Sequence, residues 1–378
     1  MQKKLLAVAV AGALGAPAFA LAQNATVNVY GKFYAEYAKV NQGHNGVPGN
    51  NLVDVDILQA PGSAIGFRGE EKLGGNLSAW FQCESSYDFR GQNTEGLCGR
   101  KSALGLKGGF GNAFVGVWDT PFKRVQDAVG SSDTGVFGSA FVLMGNSTTT
   151  AAGNTNQAVF KRRQVNSISY DTPSFGGFQA MGAFTTLNSQ TATVNSTAGS
   201  KPRIWSLAAK YGNGPLNVYA GYEKHNDITN NGVAAFDDKG WLLGANYTFG
   251  NKLKVGGLYS QQKWQTGIGA ESKVNVWHLG IDWMFSGPHG VRAAYSEAGD
   301  VKGNGAAVGT TRPGAGANTG VKLYSVRYVY AMSKRTEVNV GYAKVNNDSA
   351  ARYQLGGLNG NGAGQDPSAF AINMTHSF

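Results

Sequence analysis

The sequence is poor in features that most folds rely on. Of 378 residues only two are cysteine and ten are proline, and 15% are charged. Two cysteines cannot build a disulfide scaffold. After residue 22 no apolar run reaches the roughly twenty residues that a membrane-crossing helix needs, and with a mean hydropathy of −0.24 this excludes a helical membrane protein. What is plentiful is glycine, 55 residues, together with 11% aromatics. The aromatics exclude a disordered chain, and the glycines lack the every-third spacing of collagen. The length suits two or three ordinary domains or one large β-barrel. Much Gly and Tyr with little charge favours many short strands.

Residues 1–22 form a separate message. A basic start (Lys3, Lys4), an apolar run from Leu5 to Leu14 and small residues ending Ala20-Leu21-Ala22 are the parts of a secretory signal peptide. Gly15 and Pro17 break the run too early for an anchor helix. The expected division is residues 1–22 as signal and 23–378 as the mature chain, whose net charge falls from +10 to +8 with the loss of Lys3 and Lys4. Export places Cys83 and Cys98 in an oxidising space, where a disulfide closing one surface loop is expected. Closure of a loop this long is worth about 3 kcal/mol in chain entropy. Two buried thiols are the alternative; a metal site would need more ligands nearby.

The mature chain alternates with period two. Trp241, Leu243, Ala245, Tyr247 and Phe249 share one face, as do Trp277, Leu279, Ile281, Trp283 and Phe285, and Tyr324, Val326, Tyr328 and Tyr330. The opposite faces are small or polar, with Leu242, Met284 and Val329 as exceptions. A soluble sandwich also alternates, but here aromatics recur near strand ends, where a membrane barrel carries its interfacial girdles. Seven short Gly/Pro/Asn turns (near 70–75, 108–112, 172–176, 212–214, 250–251, 286–289 and 332–334) interleave with eight longer polar stretches (near 40–51, 88–99, 119–160, 188–202, 225–239, 264–272, 298–320 and 346–367). Fifteen connections join sixteen strands. Lipid offers no hydrogen bonds, so the sheet must close on itself, and sixteen closed strands enclose water. The expected fold is an all-β, sixteen-stranded antiparallel transmembrane barrel. Its last strand alternates Phe370, Ile372, Met374, His376 and Phe378.

Several stretches then carry a family resemblance. Gly62–Gln82 (GSAIGFRGEEKLGGNLSAWFQ), Val29-Tyr30-Gly31, Arg100–Gly111 (RKSALGLKGGFG) and Asn166–Gly177 (NSISYDTPSFGG) resemble the Gram-negative trimeric general porins of the beta-proteobacterial type. With the terminal strand they span nearly the whole mature chain. The resemblance implies a homotrimer in the cell outer membrane that passes small hydrophilic solutes and inorganic ions passively. It implies a long third loop, here from Asp119-Thr120-Pro121 to about Phe160, folded into the lumen. Phe378 resembles the terminal insertion signal of such barrels. Relatives carry an Arg on the strand before the third loop where this chain has Val117, a departure that puts part of the basic constriction in doubt.

If the apolar face looks outward, the other face lines water. That rule yields basic lumen candidates Lys32, Arg68, Arg100, Arg163, Lys210, Lys254, Arg292, Arg327 and Arg335, and acidic candidates Glu36, Glu84, Glu223, Asp282 and Glu337. The third loop adds Lys123 and Arg124 against Asp119, Asp127 and Asp133. Fixed positive charge in a narrow passage concentrates anions. A modest anion preference is expected, with Arg68, Arg100 and Arg163 facing acidic groups of the third loop. The competing reading has these arginines pairing with wall carboxylates and holding the barrel in shape. A channel selective for phosphate or organic anions is the alternative function.

Other chemistry finds little support. Gly108-Gly109-Phe110-Gly111 lacks the Gly-Lys-Ser/Thr of a phosphate loop. The histidines His44, His225, His278, His289 and His376 have no metal-ligand spacing. No Gly-x-Ser-x-Gly context frames a nucleophile. The chain is therefore read as no enzyme, with no cofactor. Its basic residues are spread one or two per strand rather than clustered, which argues against a nucleic-acid partner.

Overall fold

A computed structural model describes residues 27–43, 53–91, 96–130, 134–138, 160–185, 202–230, 235–250, 252–307, 314–356 and 362–378. The signal segment and Asp133 lie outside the described residues. Wherever the sequence alternates, the backbone is extended. The strands are β1 (Asn28–Asn41), β2 (Val55–Gln59), β3 (Ala64–Gly74), β4 (Leu77–Ser86), β5 (Ser102–Gly108) and β6 (Gly111–Asp119). After helix α1 (Pro121–Ala128) come β7 (Arg163–Asp171), β8 (Phe178–Thr185), β9 (Arg203–Asn213), β10 (Leu216–Asn230), β11 (Ala235–Phe249) and β12 (Leu253–Gly267). The chain ends with β13 (Ala270–Ser286), β14 (His289–Ala298), β15 (Lys302–Gly303), β16 (Val321–Ala331), β17 (Thr336–Asn347) and β18 (Ser368–Ser377).

Sixteen of these build the wall; β2 and β15 are short additions beside β1 and β13. Every pairing is antiparallel between chain neighbours, and β1 pairs with β18 from Lys32↔Ser377 to Asn41↔Ser368. That last ladder closes the sheet and leaves no wall edge, as hydrocarbon surroundings require. No described helix is long and apolar enough to cross a membrane.

The burial pattern is inverted relative to a water-soluble protein. Leu279 is 60% exposed and Leu243 55%, while inward Ser260, Ser296 and Glu223 are fully buried. Outward rings gather near both ends of the strands. Tyr259 packs on Trp241 and Trp277 at 5.2 and 4.4 Å on the long-loop side, and Tyr247–Phe249 and Trp283–Phe285 pair on the short-turn side. Leu243, Leu279, Ile281 and Val326 fill the band between them. The layout is that of a barrel crossing lipid with amphipathic rings at each interface.

Two expected connections differ. The polar stretch 264–272 is no long loop: β12 and β13 meet through Ile268 and Gly269 alone, and most of 225–239 belongs to β10 and β11. Polar side chains there pair across the ladder, as Asn226 does with Asp237 at 3.1 Å. Their composition reads as loop because the strands continue beyond the lipid. Arg335 also moves. It sits exposed in the turn between β16 and β17, not on the lumen wall.

Candidate functional site

Helix α1 packs into an apolar nest on the inner wall. Thr120 caps α1, its hydroxyl accepting from the Lys123 N–H at 3.4 Å, and Pro121 opens the first turn. Phe122, Val125 and Val129 are buried and face inward residues of β9 to β12. One inward exception to the polar rule is explained here: Leu242, with Leu258, belongs to this nest. Gly244 and Gly256 lie where a Cβ would collide with Val129, so the wall is thinned to admit the helix end.

Polar contacts then fix the helix at each end. The Phe122 N–H donates to Ser206 Oγ at 3.0 Å. Beyond the last turn, Asn246 Nδ2 donates to the carbonyls of Ala128 and Val129 at 3.0 and 3.1 Å, and Lys254 Nζ donates to Ala128 at 3.4 Å. His278 Nε2 donates to the Gly130 carbonyl at 3.0 Å. These donors satisfy carbonyls that a helix C-terminus leaves unpaired. The segment next reaches the opposite side of the barrel. The Val136 N–H donates to Glu36 Oε1 at 3.0 Å, and Phe137 lies 5.3 Å beneath the Arg327 guanidinium. Glu36 also accepts from Tyr34 and Gln59, each at 2.5 Å. The third connection thus bridges β9–β12 and β1 inside the barrel. Its return is anchored by Phe160, stacked 4.6 Å from His225 and edge-on to Trp264 at 5.6 Å.

Charge is concentrated where this segment leaves and rejoins the wall. Asp119 has three cations around it: Lys123 at 2.7 Å, Arg163 at 3.2 Å and Lys101 at 3.5 Å. Arg124 clamps Asp171 through two 2.8 Å bonds, and Lys161 meets Asp127 at 2.9 Å. Arg162 is buried between Glu223 and Asp238. Burial pulls its guanidinium down to about 10 despite those carboxylates, so it stays charged at neutral pH. Burial likewise lowers the Lys123 ammonium from its ordinary value, with Asp119 opposing.

The expected partners of the arginines hold for one of three. Arg163 meets Asp119 at the start of the third loop. Arg100 instead pairs with Glu84 of β4 at 3.1 Å, and Arg68 lies over the Tyr30 ring at 5.1 Å. Both are held by neighbouring strands because their side chains sit too far round the wall from α1. Arg292 is likewise a wall clamp, bonded to Glu337 at 2.6 and 3.0 Å and 3.4 Å from Asp282. Lys32, Arg68 and Lys210 form no ion pair among the described residues. Val117 pairs with Ser102 in the outward row of Val115 and Leu104, so the missing arginine takes nothing from the lumen face. Val117 is itself the residue at which the register to β7 shifts, in a bulge between Gly116 and Trp118, and beyond it Asp119 turns to its cations. Lys101, Asp171 and Asp238 were absent from the sequence candidates. Lys101 precedes β5, Asp171 ends β7 at a short turn and Asp238 lies in the outer part of β11, where a one-residue register error hides the face. Cys83 and Cys98 form a disulfide. Phe378 exchanges both backbone hydrogen bonds with Gly31, and its ring packs 5.2 Å from Phe33.

A closed sheet with a greasy exterior and a charged, polar interior partly filled by its own loop is an outer-membrane channel barrel. The chain matches the Gram-negative porin family over residues 6–350 and belongs to it. It is 30% identical over 388 aligned positions to outer membrane porin protein 32 of Delftia acidovorans, covering all of both chains. To an outer membrane porin of Bordetella pertussis it is 29% identical over 314 positions, 75% of this chain and 77% of that one. Among solved structures it is similar to the anion-selective porin from Comamonas acidovorans, with a TM-score of 0.74, 26% identity, and 94% and 100% of the two chains covered. The protein is a porin of the outer membrane.

Proposed function

We propose that the barrel is a passive diffusion channel for small hydrophilic solutes and inorganic ions with a modest preference for anions. The observation that carries this is the surplus of cations on the inner wall: Asp119 answers three of them, while Lys32, Arg68 and Lys210 have no carboxylate partner among the described residues. In a narrow aqueous passage bounded by low dielectric, uncompensated positive charge raises the local anion concentration. The likeness to the anion-selective porin from Comamonas acidovorans supports the same sign. In this reading Lys32, Arg68, Arg100, Asp119, Lys123, Arg124, Asp127, Arg163 and Arg327 line or shape the passage. Residues 1–22 are removed on export, the mature chain assembles as a homotrimer, and Phe378 serves its insertion.

Reversal potentials across a salt gradient test the proposal. The intact channel should favour chloride over potassium, and Lys32→Glu with Arg68→Glu should shift the potential toward cation preference. Cation preference in the unaltered protein would overturn it. The alternative, a channel selective for phosphate or organic anions, predicts in addition that one such anion blocks chloride current at low concentration.

A further inference from the structure

One outward patch breaks the rule that a sheet avoids facing like charges. Lys224, Lys239, Lys263, Lys273 and Lys302 stand on β10, β11, β12, β13 and β15. The register sets Lys224 opposite Lys239, Lys239 opposite Lys263, Lys263 opposite Lys273, and Lys273 opposite Lys302. With strands about 4.8 Å apart, this is an ammonium ladder roughly 20 Å long. Like charges directly opposite destabilise a ladder, so the arrangement calls for a compensating anion. The protein supplies only part of it: Asp237 pairs with Lys224 at 3.0 Å, and Glu271 pairs with Lys263. Lys239, Lys273 and Lys302 have no ion pair among the described residues. Elsewhere at this height lysines face other groups, as Lys322 faces Glu297 and Lys39 faces Asp56.

Position adds a second observation. Two residues nearer the lipid on the same face lie Tyr222, Trp241 and Gln261, and two further lie Tyr259 and Trp277. The ladder therefore rides directly above the aromatic belt, at the depth of lipid headgroups. Two cavities open on this outer face. One, of about 280 Å³, is lined by Tyr222, Lys239, Trp241, Gln261 and Lys263, with no carboxylate. The other, of about 170 Å³, includes Lys273, Trp277 and Lys302 with Glu297 and Asp300. Those carboxylates are engaged within the protein: Glu297 accepts from Tyr295 at 2.5 Å, and Asp300 accepts from the Thr319 and Gly320 N–H groups at 2.8 and 3.0 Å.

We propose that this ladder is a binding site for the phosphate groups of outer-leaflet lipid headgroups, with the Lys239–Lys263 cavity as its principal seat. Lysine suits the task because its compact ammonium turns three donors toward a phosphate from any approach. The rings below pack against the uncharged part of the headgroup, and the acyl chains continue over Leu243 and Leu279. The site faces away from the lumen, so it is independent of ion selectivity.

Native mass spectrometry of the detergent-solubilised porin tests this, with phosphatidic acid as the phosphomonoester probe, diacylglycerol as its phosphate-free counterpart, and inorganic phosphate as the free anion. Lys239→Gln, Lys263→Gln and Lys273→Gln together should weaken phosphatidic acid binding about tenfold or more. The control Lys322→Gln with Lys344→Gln removes charge outside the ladder and should change it less than about twofold. Diacylglycerol should bind poorly to all forms, and millimolar inorganic phosphate should not displace the lipid. Single-channel conductance should be the same in every variant, which also reports correct assembly. As a second measurement, Lys239→Gln alone should raise Tm without phosphatidic acid, by relieving repulsion, and lower it with the lipid present. Equal weakening by ladder and control variants, undiminished binding by the ladder variant, displacement by inorganic phosphate, or a Tm shift whose sign ignores the lipid would each overturn the proposal.

Discussion

The two faces of β13 answer to different solvents. Outward, Trp277, Leu279, Ile281 and Trp283 repeat without interruption and are all well exposed. Inward, Val274 and Val276 are buried in the apolar cluster, His278 holds a loop carbonyl, and Asp282 approaches an arginine. Lipid is uniform, so one kind of side chain serves every outward position from Trp277 to Trp283. The interior must seat a loop in one place and hold water and ions in another, so its residue types change every two positions. The outer face is therefore constrained by class of residue, and the inner face by individual partners.

That contrast can be broken most severely at Asp119. Asp119→Asn leaves the largely buried Lys123 and Arg163 facing each other beside the more exposed Lys101. Removing one member of a buried charge cluster costs about 3–5 kcal/mol. Urea unfolding should show a loss in that range, and reversal potentials should move further toward anions, because a negative charge has left the passage. A purely structural Asp119 would lose stability with unchanged selectivity.

On the outer face, the class of residue is the test. Leu279→Arg places a charge in the lipid band and should cost about 2–4 kcal/mol, whereas Thr248→Arg, inward and nearer a turn, should cost under about 1 kcal/mol. Equal losses in detergent-to-bilayer folding would contradict the assignment of faces. A smaller effect is expected at Asn246, whose amide supplies two of the bonds to the α1 carbonyls. Asn246→Ala should cost about 1–3 kcal/mol. Because the loop would loosen inside an intact barrel, single-channel traces should become noisier while the far-ultraviolet spectrum stays the same.

The same asymmetry governs what could be read from the sequence. The outward rows at Trp241–Phe249, Trp277–Phe285 and Tyr324–Tyr330 were legible because period two and hydrophobicity coincide there, and the strand count followed from the fifteen short and long connections between strands. The polar strand extensions around 264–272 were not, since above the lipid both faces of a strand meet water and alternation vanishes. Leu242 looked like noise until α1 supplied its partner. Arg163 was placed with its carboxylate, yet Arg100 and Arg68 were not. Partner choice among nearby charges depends on register to one residue, and the bulge at Gly116–Trp118 alters that register without marking the composition. The lysine ladder was invisible for a related reason: its members lie 10 to 29 residues apart in the chain and meet only once the ladders align.

Glu36, which receives the far end of the third connection, belongs to β1, and β1 is the seam where the first strand meets the last. The bond from Val136 to Glu36 spans 100 positions, and Asn373 of the closing strand reaches the same carboxylate across 337. The docking point is thus complete only after the two chain ends have zipped together. Closure of the cylinder and seating of its internal brace are therefore coupled: a barrel whose ends have not met offers Glu36 without the Asn373 amide.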